Sequence, residues 1–400
     1  MIVSLDKIFT VLFSVLCFSL AFIGDQFYAV PNGINILLVA IFPFVANKKD
    51  IINLFTKKPI VWFVIFLSFV LIKSILVGQF LEDLFVIKKM FQVLLILILS
   101  SGLKVGGLEW LKSGIILGSF IAIFYSLVKI TFLIINTASF NFAKGPVINE
   151  TLPVQRLYLG LLCTISLILV LERFFKKRRK MYLILALTFT VFVFLIASRI
   201  AMLSAIVIII YYSFIKLRSI QRYFALFLIL AVTSTAIFSN DNLSKRVLHL
   251  DDNLRESYID KIAMHEPRFL IWKYSYEVAK NTNTILGNGF RLTQEKLLTS
   301  YRQIPQLKKR EWFISKRFNS HNQYIDIFLS QGLLGFIIFL IFLFQLFISA
   351  KKSPTKTLLL ISSLLFMLIY NNFHRLIGVF IFSILIVFIL DNKTLQKLKK

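Results

Sequence analysis

The sequence predicts an all-α polytopic membrane protein with about twelve transmembrane helices and one large, partly helical loop on the non-cytoplasmic side. Three observations lead there. Hydrophobic residues fill 58% of the 400 positions and charged residues 16%, with a mean hydropathy of +0.81, whereas soluble domains carry about 45–50% apolar and roughly 25% charged residues. Apolar runs of about 17–20 residues recur along the whole chain, each long enough to cross a hydrocarbon core. The runs lack the alternation of a barrel strand, and helices satisfy their backbone polar groups within each segment.

Taken in order, the predicted spans are 8–24, 34–46, 59–77, 85–101, 113–135, 155–172, 181–197, 200–216, 223–239, 326–349, 357–371 and 375–390. The first follows Lys7 with no small-residue cleavage site after it, so it reads as a membrane helix and not a removed signal peptide. The span at 34–46 is short and residues 198–199 form a very tight turn, which leaves the count open by one or two.

Basic clusters give the orientation. Lys48, Lys49, Lys57 and Lys58 follow the second span, Lys104 and Lys112 the fourth, and Lys176, Lys177, Arg178, Arg179 and Lys180 the sixth. Lys216, Arg218 and Arg222 follow the eighth, Lys351, Lys352 and Lys356 the tenth, and Lys393, Lys397, Lys399 and Lys400 end the chain. With twelve spans all these clusters fall on one side, which the positive-inside rule makes cytoplasmic, and both termini lie there. The expected organisation is a bundle of about nine helices over 1–239, an external loop over 240–325, and three last spans with a cytoplasmic tail over 326–400. No internal repeat or low-complexity linker separates them, so they are expected to act as one unit.

The formal charge of +27 suggests nucleic acid at first sight. The basic residues instead lie in short clusters between apolar runs, and the interleaved basic-aromatic patches of a nucleic-acid-binding module are missing. Cys17 and Cys163, the two cysteines, lie inside apolar runs, which excludes a disulfide framework.

Candidate chemistry gathers at the external side. His321-Asn322 stands at the mouth of the tenth span, followed by Gly332 and Gly335, which suit close helix packing or a bend. A histidine there can serve as a general base; a hydrogen-bonded interfacial histidine is the plainer alternative. Arg268 begins an amphipathic stretch after Pro267, with Trp272 one turn on, and Gly287-Asn288-Gly289 precedes Arg291. Arginine forks suit phosphate and glycines admit a close ligand. Taken alone, the glycine pair reads better as a helix C-cap and turn. Arg199 lies between two long apolar runs with no counter-charge nearby in sequence. Such residues are functional candidates by default, and snorkelling at a tight turn is the alternative. Arg156 opens the sixth span, and Arg375, beside His374, opens the twelfth. Together these residues suit an anionic lipid headgroup, above all a pyrophosphate. Glu82 and Asp83 form a single adjacent acidic pair at the outer ends, a weak metal signal, and arginines can stabilise a leaving pyrophosphate in a metal's place.

At these residues the chain resembles the O-antigen ligase and O-antigen polymerase family of bacterial surface-polysaccharide assembly. The resemblance is carried by Ser198-Arg199 between adjacent helices, Arg268-x-x-x-Trp272, Gly287-Asn-Gly289 and His321-Asn322 leading into Gly332-x-x-Gly335, in that order, with a large loop before the last three spans. It implies a metal-independent, cofactor-free, inverting glycosyltransferase at the periplasmic face of the inner membrane. Its donor would be an undecaprenyl-diphosphate-linked glycan. Arg199 and Arg268 would engage the diphosphate and His321 would activate the acceptor hydroxyl. Arg156, Arg291 and Arg375 are substrate-binding candidates on their position alone. The acceptor is either lipid A-core, for a ligase, or the growing glycan, for a polymerase; the Arg-Trp, Gly-x-Gly and His-Asn set slightly favours the ligase. A transporter of lipid-linked sugars would also want external basic residues, but paired broken helices in two corresponding halves are not evident.

Overall fold

A computed structural model describes residues 4–23, 29–137, 149–239 and 266–391. Every regular element among them is helical. The first half of the chain comprises α1 (Leu5–Ser19, continued as a 3-10 turn over Leu20–Phe22), α2 (Ala29–Val45), α3 (Lys48–Phe55), α4 (Lys58–Leu76), α5 (Phe80–Ser100) and α6 (Gly107–Thr137). Then come α7 (Arg156–Lys177), α8 (Lys180–Leu195), α9 (Arg199–Lys216) and α10 (Ser219–Ser239). Between α10 and α14 the described residues hold α11 (Pro267–Lys280), α12 (Phe290–Tyr301) and α13 (Leu307–Lys316). The chain then returns through α14 (Gln323–Ala350), α15 (Pro354–Met367), a 3-10 turn (Asn372–His374) and α16 (Leu376–Leu390).

Each of the twelve predicted spans falls on one of these helices, but length and composition narrow the count. Among the described residues, six helices are long and apolar enough to cross a bilayer: α1 with its 3-10 extension, α4, α6, α7, α9 and α14. A seventh results if α2 and α3, bent by 114° at their junction, form one broken span. The apolar helices α8, α15 and α16 are shorter, the stretch Ser219–Thr235 of α10 falls just short of that length, and α5 carries Glu82, Asp83, Lys88 and Lys89 in its first turns. A helix of 15 residues such as α16 rises only about 22 Å at 1.5 Å per residue, less than a hydrocarbon core.

Burial explains why short helices suffice in places. Every residue of α16 from Ile377 to Leu390 is buried in protein, and α7 is buried almost all round. A helix apolar on all faces that contacts only protein is an interior helix. The helices around this centre are apolar outward instead: Phe224, Phe227 and Leu230 of α10 and Phe124 and Phe132 of α6 are exposed, as suits a multi-pass membrane protein. Close approach uses small residues. A Cβ on Gly114 would stand 2.3 Å from Ser14 O and one on Gly118 2.4 Å from Phe18 O, so α6 packs backbone to backbone on α1 through a Gly-x-x-x-Gly face.

The long helix α14 is broken at Gly332, whose φ of 65° and ψ of −170° belong to a region essentially reserved for glycine. Gly335, one turn on, lies against Phe69 of α4. The break strands four backbone groups that an intact helix would pair. The loop takes all four: Asn288 N donates to Leu329 O (2.9 Å), Gly289 N to Ser330 O (2.7 Å), Leu333 N to Thr284 O (2.8 Å) and Leu334 N to Ile285 O (3.3 Å). Lys73 Nζ also donates to Ser330 O. Asp83, buried at the start of α5, accepts from Arg291 N at 2.9 Å and anchors the beginning of α12. A small core of Ile271, Tyr274, Leu297, Tyr301 and Phe313 joins α11–α13 to Leu329 of α14. The loop is thereby fixed on the bundle.

Gly332→Ala is expected to cost about 1–3 kcal/mol in backbone strain alone, and its Cβ would also meet Ile285 O at 2.3 Å. Thermal unfolding of the detergent-purified variant should show a clear loss of stability. An unchanged midpoint would refute this account of the break.

Candidate functional site

The candidate residues meet at the end of the bundle where α7, α9, α14 and α16 begin and α8 and α15 end. Ala197, with φ 49°, turns the chain between α8 and α9. Ser198 precedes the first helical residue, so Arg199 projects from the start of α9. Pro267 occupies the first turn of α11, where a missing N–H costs nothing, and sets Glu266 and Arg268 on either side of it.

Glu266 is the feature that the sequence reading lacked. Its Oε1 accepts from Arg199 Nη2, and its Oε2 lies 3.7 Å from Arg268 Nη1. One carboxylate thus bridges the two arginines, 67 residues in chain from the first. The counter-charge absent near Arg199 in sequence is supplied across the fold. Burial lowers the Arg268 guanidinium from its ordinary value and Glu266 opposes the shift; an arginine stays charged under such a perturbation. Arg268 Nε and, one turn on, Trp272 Nε1 are buried and donate to no acceptor among the described residues.

His321 sits at a left-handed backbone corner (φ 45°) immediately before α14. Its imidazole lies between the rings of Phe318 (5.4 Å) and Tyr370 (5.7 Å). Burial first, and then the positive charges of Arg268 and Arg375 with nearby His374, hold its pKa down at about 3. The ring is therefore neutral at working pH, and it shares its surroundings with Arg268 and Arg375. Arg156 is at the same end: its neighbour Gln155 accepts a 3.1 Å hydrogen bond from Tyr370 Oη.

Beneath His321 lies a buried polar layer. Ser320 accepts from Asn371 Nδ2 at 3.0 Å and donates to Asn322 O at 3.1 Å. Asp326 Oδ2 stands 2.9 Å from His374 Nε2, and Phe373 N donates to Gln323 Oε1 at 3.1 Å. These bonds tie the start of α14 to the α15–α16 connection, and so His321 to Arg375.

Other candidates are placed differently. Asn322 caps α14, its Oδ1 accepting from Tyr324 N (2.9 Å) and Ile325 N (3.1 Å); that oxygen is committed to the helix. Gly287 and Gly289, expected to admit a ligand, have protein as their nearest neighbours. A Cβ on Gly287 would stand 2.4 Å from Gly332 N and one on Gly289 2.1 Å from Gln79 Oε1, so both make room for protein. Arg291 pairs with Glu295 at 2.8 Å on the surface of α12 and not with the carboxylate that joins Arg199 and Arg268. A cavity of about 530 Å³ lies at the opposite end of the bundle, lined by Lys57, Lys104 and Asp391 among others, away from the arginines.

Glu266, Tyr370 and Asp326 escaped the sequence reading. Glu266-Pro267-Arg268 carried a signal, a carboxylate one residue from an arginine at a helix start. The polar run Tyr370-Asn-Asn-Phe-His-Arg375 between two apolar stretches was another.

Residues 182–340 match the family model described as O-antigen ligase. No curated protein matches the chain.

Two measurements check this geometry. Asn322→Ala should cost about 1 kcal/mol of stability as a lost cap, with Asn322→Ser retaining most of it. An unfolded histidine titrates near pH 6.5, so between about pH 6.5 and 3 the unfolded chain binds the proton that folded His321 refuses. Its contribution should therefore make stability fall as pH drops through that window. His321→Asn, compatible with a left-handed corner, should lose that part of the pH slope; an identical slope in variant and wild type would contradict the burial of a neutral ring.

Proposed function

Taking as premise the O-antigen ligase family membership that residues 182–340 carry, we propose that the protein moves a polyprenyl-diphosphate-linked glycan en bloc onto an acceptor sugar at the external face of a bacterial inner membrane. The observation that carries this reading is the pair Arg199 and Arg268, drawn onto one carboxylate beside a neutral histidine at the helix ends. Two forked guanidinium groups aimed at one anion suit a diphosphate. A neutral imidazole suits the acceptor.

In this mechanism the donor's diphosphate lies across Arg199 and Arg268, with Arg375 and Arg156 nearby. His321 accepts the proton of the acceptor hydroxyl. The hydroxyl oxygen bonds to the anomeric carbon from the face opposite the diphosphate, while the bond from that carbon to the phosphate oxygen breaks and its electron pair leaves with the lipid diphosphate. The configuration inverts. The arginines stabilise the charge growing on the leaving group, which is where preorganised donors act most strongly. The arrangement of these cations at one face, with an asymmetric loop over them, favours an enzyme over a carrier of lipid-linked sugars; transfer by purified protein in detergent, with no gradient, separates the two.

The preferred acceptor is lipid A-core, the ligase reaction. A repeat-unit polymerase of the same family is the second reading, since the motif set serves both. A deletion strain that accumulates full-length lipid-linked polymer supports the ligase, and one that accumulates single lipid-linked repeats supports the polymerase.

His321→Ala and Arg199→Ala should each abolish transfer while the protein still inserts in the membrane. Normal surface glycan in both mutants would sink the assignment. The pH dependence gives a second check. kcat/KM reports the free enzyme, in which His321 is held at about 3, so its acid limb should lie well below pH 6.5. In kcat, which reports the substrate complex, the bound diphosphate's negative charge favours the imidazolium and should move that limb upward.

A further inference from the structure

Arg199 and Arg268 are joined through Glu266, which raises the question of what the carboxylate does when an anionic substrate arrives. We propose that Glu266 is the site's resident anion: it holds the two arginines together in the free protein, and the donor's diphosphate binds by taking its place between them. This inference rests on the reading of the site as a diphosphate site.

Four observations carry it. Carboxylates and phosphates match the same planar donor fork, so Glu266 and a diphosphate compete for the same N–H groups. The carboxylate satisfies those groups incompletely. Its bond to Arg199 is close, but it stands 3.7 Å from Arg268 Nη1, beyond hydrogen-bond range. Arg268 Nε and Trp272 Nε1 remain buried donors with no acceptor among the described residues. Buried donors of this kind call for an explanation, and a diphosphate brings several acceptor oxygens where Glu266 brings two. Finally, Glu266 occupies the N-cap position of α11 but makes no side-chain cap bond there. Its reach is spent on the arginines. Released from them, it remains at a helix N-terminus, where a negative charge is stabilised. The displaced carboxylate therefore has a favourable second location within its own residue's reach.

The exchange has a role beyond neutralising two like charges before substrate arrives. A site already holding a carboxylate lowers the apparent affinity of every displacing anion by the same factor, so ligands that bind the arginines weakly do not occupy it. A diphosphate offers more charge and more acceptors. Glu266 thus sets a threshold for occupancy, which a diphosphate clears more readily than a weaker anion although the ratio of their affinities is unchanged.

The test uses full-length protein purified in detergent, with farnesyl diphosphate and farnesyl monophosphate as probes and calorimetric binding as readout. Glu266→Gln keeps the side chain's size and removes its charge; it should bind farnesyl diphosphate about tenfold tighter or more, since each 1.4 kcal/mol of competition removed is a factor of ten. The monophosphate should tighten by the same factor, because the competing carboxylate is the same for both ligands. Glu266→Asp keeps the charge but shortens the reach, and should fall between wild type and the Gln variant; it also serves if the Gln variant does not fold. Wild-type binding that neither variant tightens would overturn the proposal and leave the diphosphate reading standing. Weakened binding in both would overturn it too, by making Glu266 a direct ligand. Failure of the wild type to bind farnesyl diphosphate, with Arg199→Ala no different, would overturn the diphosphate reading itself and this inference with it.

Discussion

Within a membrane protein a helix cannot simply stop pairing its backbone, because no water is at hand to take the freed groups. α14 interrupts its hydrogen-bond ladder at Gly332 all the same, and the four groups released are taken one for one by residues 284–289 of the loop that precedes it. Much of the outer end depends on this exchange. It holds α12 against α14 and gives Gly287 and Gly332 their shared need for glycine. It fixes the loop's far side, so that its near side, Glu266 and Arg268, lies against Arg199. Lys73 and Asp83, charged groups on bundle helices, bind the same junction through Ser330 O and Arg291 N.

The second constraint is electrostatic. Guanidinium groups brought together at a half-buried surface repel one another and disfavour further positive charge nearby. One answer in the structure is a bridging carboxylate; the other is a histidine that stays uncharged. The histidine owes its neutrality first to burial and then to the same crowding, and both answers leave the region receptive to an anion. The buried layer of Ser320, Asn371, Asp326 and His374 beneath it is paired within itself. It serves to keep the α14 corner and the α15–α16 connection in register, so that His321 and Arg375 share one neighbourhood.

Much of this was readable in advance, for reasons that can be named. Apolar runs mark helices in lipid because each helix must satisfy itself, so every expected span fell on a helix. The number that cross does not follow, because a wholly apolar helix such as α16 is buried by its neighbours at a length that falls short of a bilayer. His321, Arg199 and Arg268 could be singled out because an ionisable group at a helix end in an apolar chain is costly. Glu266 could not, because what makes it notable is a partner 67 residues away. The glycines of 287–289 were legible as glycines needing space, but not as to what fills it. A ligand and another part of the protein impose the same demand on a Cβ, and only the tertiary structure shows that α14 is the occupant at Gly287 and Gln79 at Gly289.

The mended break also bears on how such a chain can be altered by exchange of parts. Loops that merely cover a bundle can be grafted from one relative to another, carrying their specificity along. This one is harder to graft, since a donor loop that does not present amides and carbonyls where residues 284–289 do leaves carbonyls and amides of α14 unpaired. The transplantable piece is larger and runs from Glu266 through the first turn after Gly332. Segments such as α13, whose contacts are with the loop's own small core, are free of the constraint that holds residues 284–289.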